Sequence, residues 1–208
     1  MLRPGSKSFF RLTKPLVFVF CLLPLANLLG RAFGFMANDL GANPVEALLH
    51  SLGLWGLRFL LLGLTITPLR YWTGWNWLVR YRRMLGLYAF FYILLHFLVY
   101  AILDQGLDIS VIIEDVIKRP YITLGMIALL LLLPLAVTST KGMMRRLGRR
   151  WQKLHRLVYL IAVLAVWHFD WQVKLDTFEA IIYVAILTLL LMARVLHAYR
   201  KRIRSALI

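Results

Sequence analysis

The chain has 208 residues, 61% of them hydrophobic, and a mean hydropathy of +0.74. Soluble domains are about 45–50% apolar, so this composition excludes an ordinary soluble enzyme and marks an integral membrane protein. The formal net charge is +16, from 25 Lys and Arg against 9 Asp and Glu. Because the basic residues cluster between apolar runs, that charge points to membrane topology and contact with anionic lipid, not to nucleic acid.

In chain order, six segments are long and apolar enough to cross a bilayer as helices: 15–36, 47–69, 84–103, 121–137, 154–171 and 178–196. The expected fold is an all-α integral membrane protein, one bundle of six transmembrane helices filling 1–208. With the N-terminus inside, the segments 1–14, 70–83, 141–156 and 200–204 carry nineteen Lys and Arg. The outer connections carry only Arg31, Lys118, Arg119 and Lys174, while Arg58 and Arg194 lie within helices. All nine acidic residues fall outside. This asymmetry predicts that both termini are cytoplasmic. Residues 1–27 also have the pattern of a signal peptide, but removing them would strand the basic C-terminus outside. The single cysteine, Cys21, allows no internal disulfide and no cysteine-based metal centre. No phosphate-binding loop, dinucleotide fingerprint, nucleophile elbow or metalloprotease helix is present.

The chemistry-bearing residues of the spans are histidines. Ionisable groups inside membrane segments mark functional sites by default, and neutral imidazole is the commonest protein ligand for metals, haem iron included. At 1.5 Å per residue, His96 lies about 18 Å into the third helix, and His168 about 20 Å beyond His155 in the fifth. His96 and His168 therefore reach similar depth on two helices, as the two axial ligands of a b-type haem require. His155, a third candidate metal ligand, lies a leaflet away, at the depth of a second cofactor or a cytoplasmic-side site. Thirteen residues turn an ideal helix about 220° past whole turns, so His155 and His168 would face different sides. Each histidine could instead simply hydrogen-bond a neighbouring helix. His50 reads as interfacial, and His197 as a solvated or snorkelling residue. Arg58, in mid-helix with no acidic residue expected at its depth, calls for an anion such as a haem propionate or a flavin phosphate. Arg82 and Arg83 belong to an inner cluster that sets topology and could also grip a flavin phosphate or dock a soluble reductase.

The ordered motifs Ile66-Thr67-Pro68-Leu69, Arg82-Arg83-Met84-Leu85-Gly86-Leu87, His96 and Arg119-Pro120-Tyr121-Ile122-Thr123-Leu124-Gly125 continue into Thr138-Ser139-Thr140, Leu147-Gly148, Trp151, Leu154-His155, Tyr159 and His168. Together they resemble the ferric-reductase-like transmembrane family, in particular the haem-binding membrane subunits of bacterial protein-methionine-sulfoxide reductase systems. The resemblance implies a multi-pass protein of the bacterial inner membrane with haem b, one or two, and FMN. It implies electron delivery from the quinone pool or a cytosolic flavin reductase to a periplasmic molybdenum-cofactor enzyme, the catalytic subunit MsrP. By that comparison His96 and His168 are the expected haem ligands, and His155 is a third family histidine without an assigned partner. The wider family often has two histidines on each of two helices, whereas the third helix here has only His96, with Arg82 and Arg83 a leaflet inward. The chain would be an electron-transfer subunit rather than the catalytic one. A ferric or metal reductase with an extracellular acceptor, or a haem-free transporter or structural module, are the rival readings.

Overall fold

The computed structural model describes residues 4–36, 40–172 and 177–206, and among these there is no strand. Arg3, Asp39, Lys174 and Asp176, counted above in the charge pattern, lie outside the described residues, as do the side chains of Lys201 and Arg204. The helices are α1 (Lys7–Ala32), α2 (Pro44–Thr73), α3 (Arg82–Val99), α4 (Ile109–Lys118), α5 (Pro120–Val137), α6 (Lys141–Leu147), α7 (Arg149–Leu154), α8 (Leu157–Gln172) and α9 (Thr177–Ala206). A 3-10 segment, Asn76–Tyr81, leads into α3, and a π segment, Tyr100–Asp104, leaves it.

Local chemistry sets the ends. Asn43 caps α2 by accepting from the Glu46 amide, with Pro44 in the first turn where its missing N–H costs nothing. Gly74, at φ 72°, closes α2 in the left-handed conformation and donates its N–H to the Arg70 carbonyl. Pro120 opens α5 in the same way as Pro44 opens α2.

α2 is the centre of the bundle. Eleven of its residues are buried, against three in α1 and three in α5. It packs against α1, α3, α8 and α9, and α5 completes the ring by packing against α3 and α8. The closest approach is between α2 and α3: a Cβ added at Gly56 would stand 2.5 Å from Ile93 Cγ1. Small residues at such crossings are how membrane helices gain van der Waals contact.

α1 is fastened to α3 by tyrosines. The Tyr92 hydroxyl accepts from the Leu25 amide at 3.1 Å and donates to the Cys21 carbonyl at 2.8 Å. Those two groups would pair with each other in an unbroken helix, so the hydroxyl is inserted into the ladder beside Pro24. Tyr88 donates to the Phe18 carbonyl at 2.8 Å, and Tyr81, just before α3, shares a hydrogen bond with Thr13.

Among the described residues, five stretches are long and apolar enough to cross a membrane: Lys7–Ala32, Pro44–Thr73, Asn76–Asp104, Pro120–Val137 and Phe178–Arg200. The expected segment 154–171 differs. Leu154 ends α7, His155 and Arg156 form a turn, and α8 has sixteen residues, about 24 Å of helix. Tethers to the end of α5 accompany this break: Trp151 Nε1 donates to the Thr138 carbonyl at 3.0 Å, and His155 Nε2 lies 3.2 Å from Thr138 Oγ1. A second difference concerns the expected loop after the third span. It contains α4, capped by Asp108, whose carboxylate accepts from the Ser110 hydroxyl and from the amides of Ser110 and Val111.

Candidate functional site: paired imidazoles between two helix pairs

His96 on α3 and His168 on α8 face each other with ring centroids 6.2 Å apart and planes inclined at 78°. Their seats are alike. His96 Nδ1 lies 2.8 Å from the carbonyl of Leu49 on α2, and His168 Nδ1 lies 2.6 Å from the carbonyl of Tyr121 on α5. A carbonyl only accepts, so we assign each Nδ1 as the protonated donor. Each Nε2 is then left as a lone-pair donor, the tautomer a metal ligand needs.

The backing of each ring is also alike. One turn beyond Leu49, Gly53 lies against His96: a Cβ there would stand 3.1 Å from Nδ1. One turn beyond Tyr121, Gly125 lies against His168, where a Cβ would stand 3.0 Å from Nδ1 and Cε1. The carbonyl precedes its histidine by 47 residues in both pairs. The α2–α3 and α5–α8 pairs thus present two imidazoles by the same construction. Two metal–nitrogen bonds of about 2 Å, plus the distance from each nitrogen to its ring centre, come to roughly 6 Å. The observed separation is what one metal bound by both Nε2 atoms would require.

The cavity around this pair has apolar walls from α2, α3, α5 and α8, including Leu57, Ile93, Leu129 and Ile161, and a polar end carrying Tyr100, Asp104, Arg119 and Gln172. Sequence reasoning missed several contributors. His50, expected at the interface, lines this cavity. Leu49 and Tyr121 act through their carbonyls, which carry no residue signature. Gly53 and Gly125 act by having no side chain, which carries no signature of its own.

A second cavity sits towards the basic end of the same four helices. It is lined by Lys14, Arg80, Arg82, Arg83, Arg156 and His155, beside Trp151 and Tyr159, and none of its lining residues is acidic. On α2, Leu57 belongs to the first cavity and Leu60 to the second, so about one helical turn separates them. His155 and His168 thus face the same bundle interior, contrary to the ideal-helix expectation. The turn at His155–Arg156 absorbs the phase difference. His155 is held differently from the other two. Thr138 Oγ1 donates to the Pro134 carbonyl at 2.6 Å, which leaves its lone pairs to accept from His155 Nε2. The imidazole also lies against Trp151, with centroids 3.9 Å apart.

Arg58 is absent from both linings. It donates to the Tyr183 hydroxyl at 2.8 Å, pairs with Glu179 at 3.5 Å and lies over the Trp55 ring. The expectation that no carboxylate shares its depth is corrected: Glu179, near the start of α9, reaches it. His197 is likewise not simply solvated, since it stacks on Tyr71 at 3.6 Å. Arg194 donates to the Leu64 and Leu190 carbonyls and lies over Tyr159.

Residues 52–166 match the family described as ferric reductase like transmembrane component. A protein of Rhodospirillum rubrum is 55% identical over 193 residues, covering 92% of this chain and 91% of that protein; it is named protein-methionine-sulfoxide reductase heme-binding subunit MsrQ. Proteins of the same name from Herminiimonas arsenicoxydans and Brucella ovis are 47% identical over 197 residues and 51% identical over 170 residues. These matches cover 93% and 82% of this chain, and 89% and 77% of the respective relatives.

Proposed function

Because the chain belongs to the ferric reductase-like transmembrane family and matches haem-binding subunits named MsrQ along most of its length, we propose that it is the haem-binding, electron-carrying membrane subunit of a bacterial protein-methionine-sulfoxide reductase system. The observation that carries this reading is the facing of His96 and His168, each with Nδ1 tied to a carbonyl and Nε2 left to ligate. In this reading they hold one haem b. Bis-imidazole ligation supplies a reversible one-electron couple without an open coordination site. The residues around it do the rest. Leu49 and Tyr121 fix the tautomer, Gly53 and Gly125 let the rings seat closely, and the apolar walls exclude water.

The basic cavity suits FMN. Arg82 and Arg83 supply cations for a phosphate, and Trp151 and Tyr159 supply aromatic faces for a ring system. His155 faces this cavity and would orient what binds there. Arg58, paired with Glu179 and Tyr183, takes a structural part instead.

The topology follows the charge. All of 1–208 forms one membrane domain of the bacterial inner membrane, with α8 as the sixth crossing and both termini cytoplasmic. Electrons from the quinone pool or a cytosolic flavin reductase enter at the basic end. They leave at the acidic end, near Asp104 and α4, to the periplasmic catalytic subunit MsrP, where methionine sulfoxide is reduced.

The test is spectroscopic. The full-length protein, purified in detergent, should give a low-spin b-type spectrum that sharpens on dithionite reduction, and it should release FMN on denaturation. Absence of the haem bands sinks the reading. Substituting both Arg82 and Arg83 by Gln should weaken FMN retention about tenfold while leaving the haem spectrum unchanged. Equal flavin retention would remove these arginines from the site.

A further inference from the structure

The cavity around His96 and His168 is chemically lopsided. Most of its lining is leucine, isoleucine, phenylalanine, methionine, alanine and glycine, and its charge is confined to one end. Among the described residues lining it, Arg119 is the only Lys or Arg, and Asp104 the only carboxylate.

Arg119 sits at a junction. It is the residue between α4 and α5, two positions before Tyr121, whose carbonyl holds His168. Its Nε lies 3.2 Å from Asp115 Oδ1. The Tyr100 hydroxyl donates to the other oxygen of Asp115 at 3.2 Å, and Tyr100 lies one turn beyond His96. Asp115 therefore holds the guanidinium from one side and ties the two histidine-bearing halves together at the mouth. The Asp115 carboxylate is largely covered, while about half of the Arg119 side chain is exposed. The Nε contact with Asp115 and a side-chain hydrogen bond with Tyr121 use two of the five guanidinium N–H groups, so the others can still meet an anion in the cavity mouth.

We propose that Arg119 binds a carboxylate of the cofactor seated between His96 and His168, with Asp115 orienting the guanidinium. The inference rests on the haem reading. A planar tetrapyrrole carries two propionates on one edge, and ionised carboxylates are costly in the apolar part of this cavity. This guanidinium fixes which way round that edge enters: towards the acidic end of the bundle. Gln172, at the same end, offers an amide donor for the second carboxylate.

The experiment is a titration of the full-length chain, expressed under haem limitation and kept in detergent, with haem b and with haem b dimethyl ester. Esterification removes both charges without changing the iron or the ring. The wild type should bind the free acid at least about tenfold more tightly than the ester. Arg119→Gln should bring the two within about threefold while keeping the bis-imidazole spectrum, and Asp115→Asn, whose amide oxygen can still accept from Nε and orient the guanidinium, should retain the preference. An unchanged preference in Arg119→Gln overturns the proposal and leaves the haem reading standing. So does equal loss in Asp115→Asn, which would make the contact a structural clasp only. If the wild type binds neither form, the haem reading falls and this proposal with it. Should Arg119→Gln fail to accumulate, Asp104→Asn reads the same end with opposite sign: the free-acid preference should rise severalfold, and no rise overturns the proposal.

Discussion

The α2–α3 and α5–α8 pairs build the same seat and then diverge. Near the acidic end each gives a carbonyl, a glycine one turn on and a histidine 47 residues after the carbonyl. Thirteen residues before its histidine, each chain segment has a different group: Arg83 in the first pair and His155 in the second. Symmetry is kept where, in the proposed reading, two equal ligands would meet one metal. It is lost in the basic cavity, where cations outnumber imidazoles and the one histidine is bonded to Thr138. The acidic-end cavity offers two matched imidazoles and the basic-end cavity offers charge. This difference also accounts for the lone histidine on α3.

The largest effect expected from disturbing this symmetry is loss of the haem. His96→Ala and His168→Ala should each abolish the low-spin spectrum, whereas His50→Ala and His197→Ala should keep it; the opposite pattern would refute the ligand assignment. Next come the backing glycines. Gly53→Ala and Gly125→Ala push a methyl to about 3 Å from an imidazole and should weaken haem affinity about 10–100-fold, to similar extents, if the seats are equivalent. A large inequality measured by haem titration would break the equivalence. Below these lies packing. Gly56→Ala drives Cβ into Ile93 and should cost about 1–3 kcal/mol in detergent unfolding. Adding Ile93→Ala, which copies Ala128 and Ala165 at the matching positions of the second pair, should recover part of that loss.

The smallest effect concerns α4, which joins the two pairs. The Ser110 hydroxyl and two amides hold the Asp108 carboxyl below the usual carboxylate range. A depressed folded value means stability present above the unfolded pKa and lost as pH falls through the folded one. Hydrogen-exchange protection of α4 should therefore drop on acidification in the wild type. Asp108→Asn should show a flatter pH profile, and identical profiles would remove the carboxylate from the cap.

The sequence made the membrane helices legible because twenty apolar residues in a row have few other uses. Depth alone paired His96 with His168. α4 was hidden by its ten-residue length, although Asp108 as a cap followed by Ile109, Ile112, Ile113 and Ile117 on one helical face was a usable signal. The seat itself was not readable, since a carbonyl from Leu49 or Tyr121 is the same group whatever the side chain. The His155 phase argument assumed a continuous helix, and Gly148, Trp151 and Thr138 instead produce a tethered turn. Arg58 misled because Glu179 lies 121 residues away, a separation that no local pattern spans.

The Tyr92 hydroxyl wedged beside Pro24 has a consequence for biogenesis. α1 is made before α3, and until α3 arrives its Leu25 amide and Cys21 carbonyl can only pair with each other, as in any regular helix. In hydrocarbon, polar backbone groups left without a partner are expensive. A hydroxyl that both accepts and donates can enter between them without leaving either group unpaired, so α1 can cross the bilayer on its own and still be opened later by one phenol group.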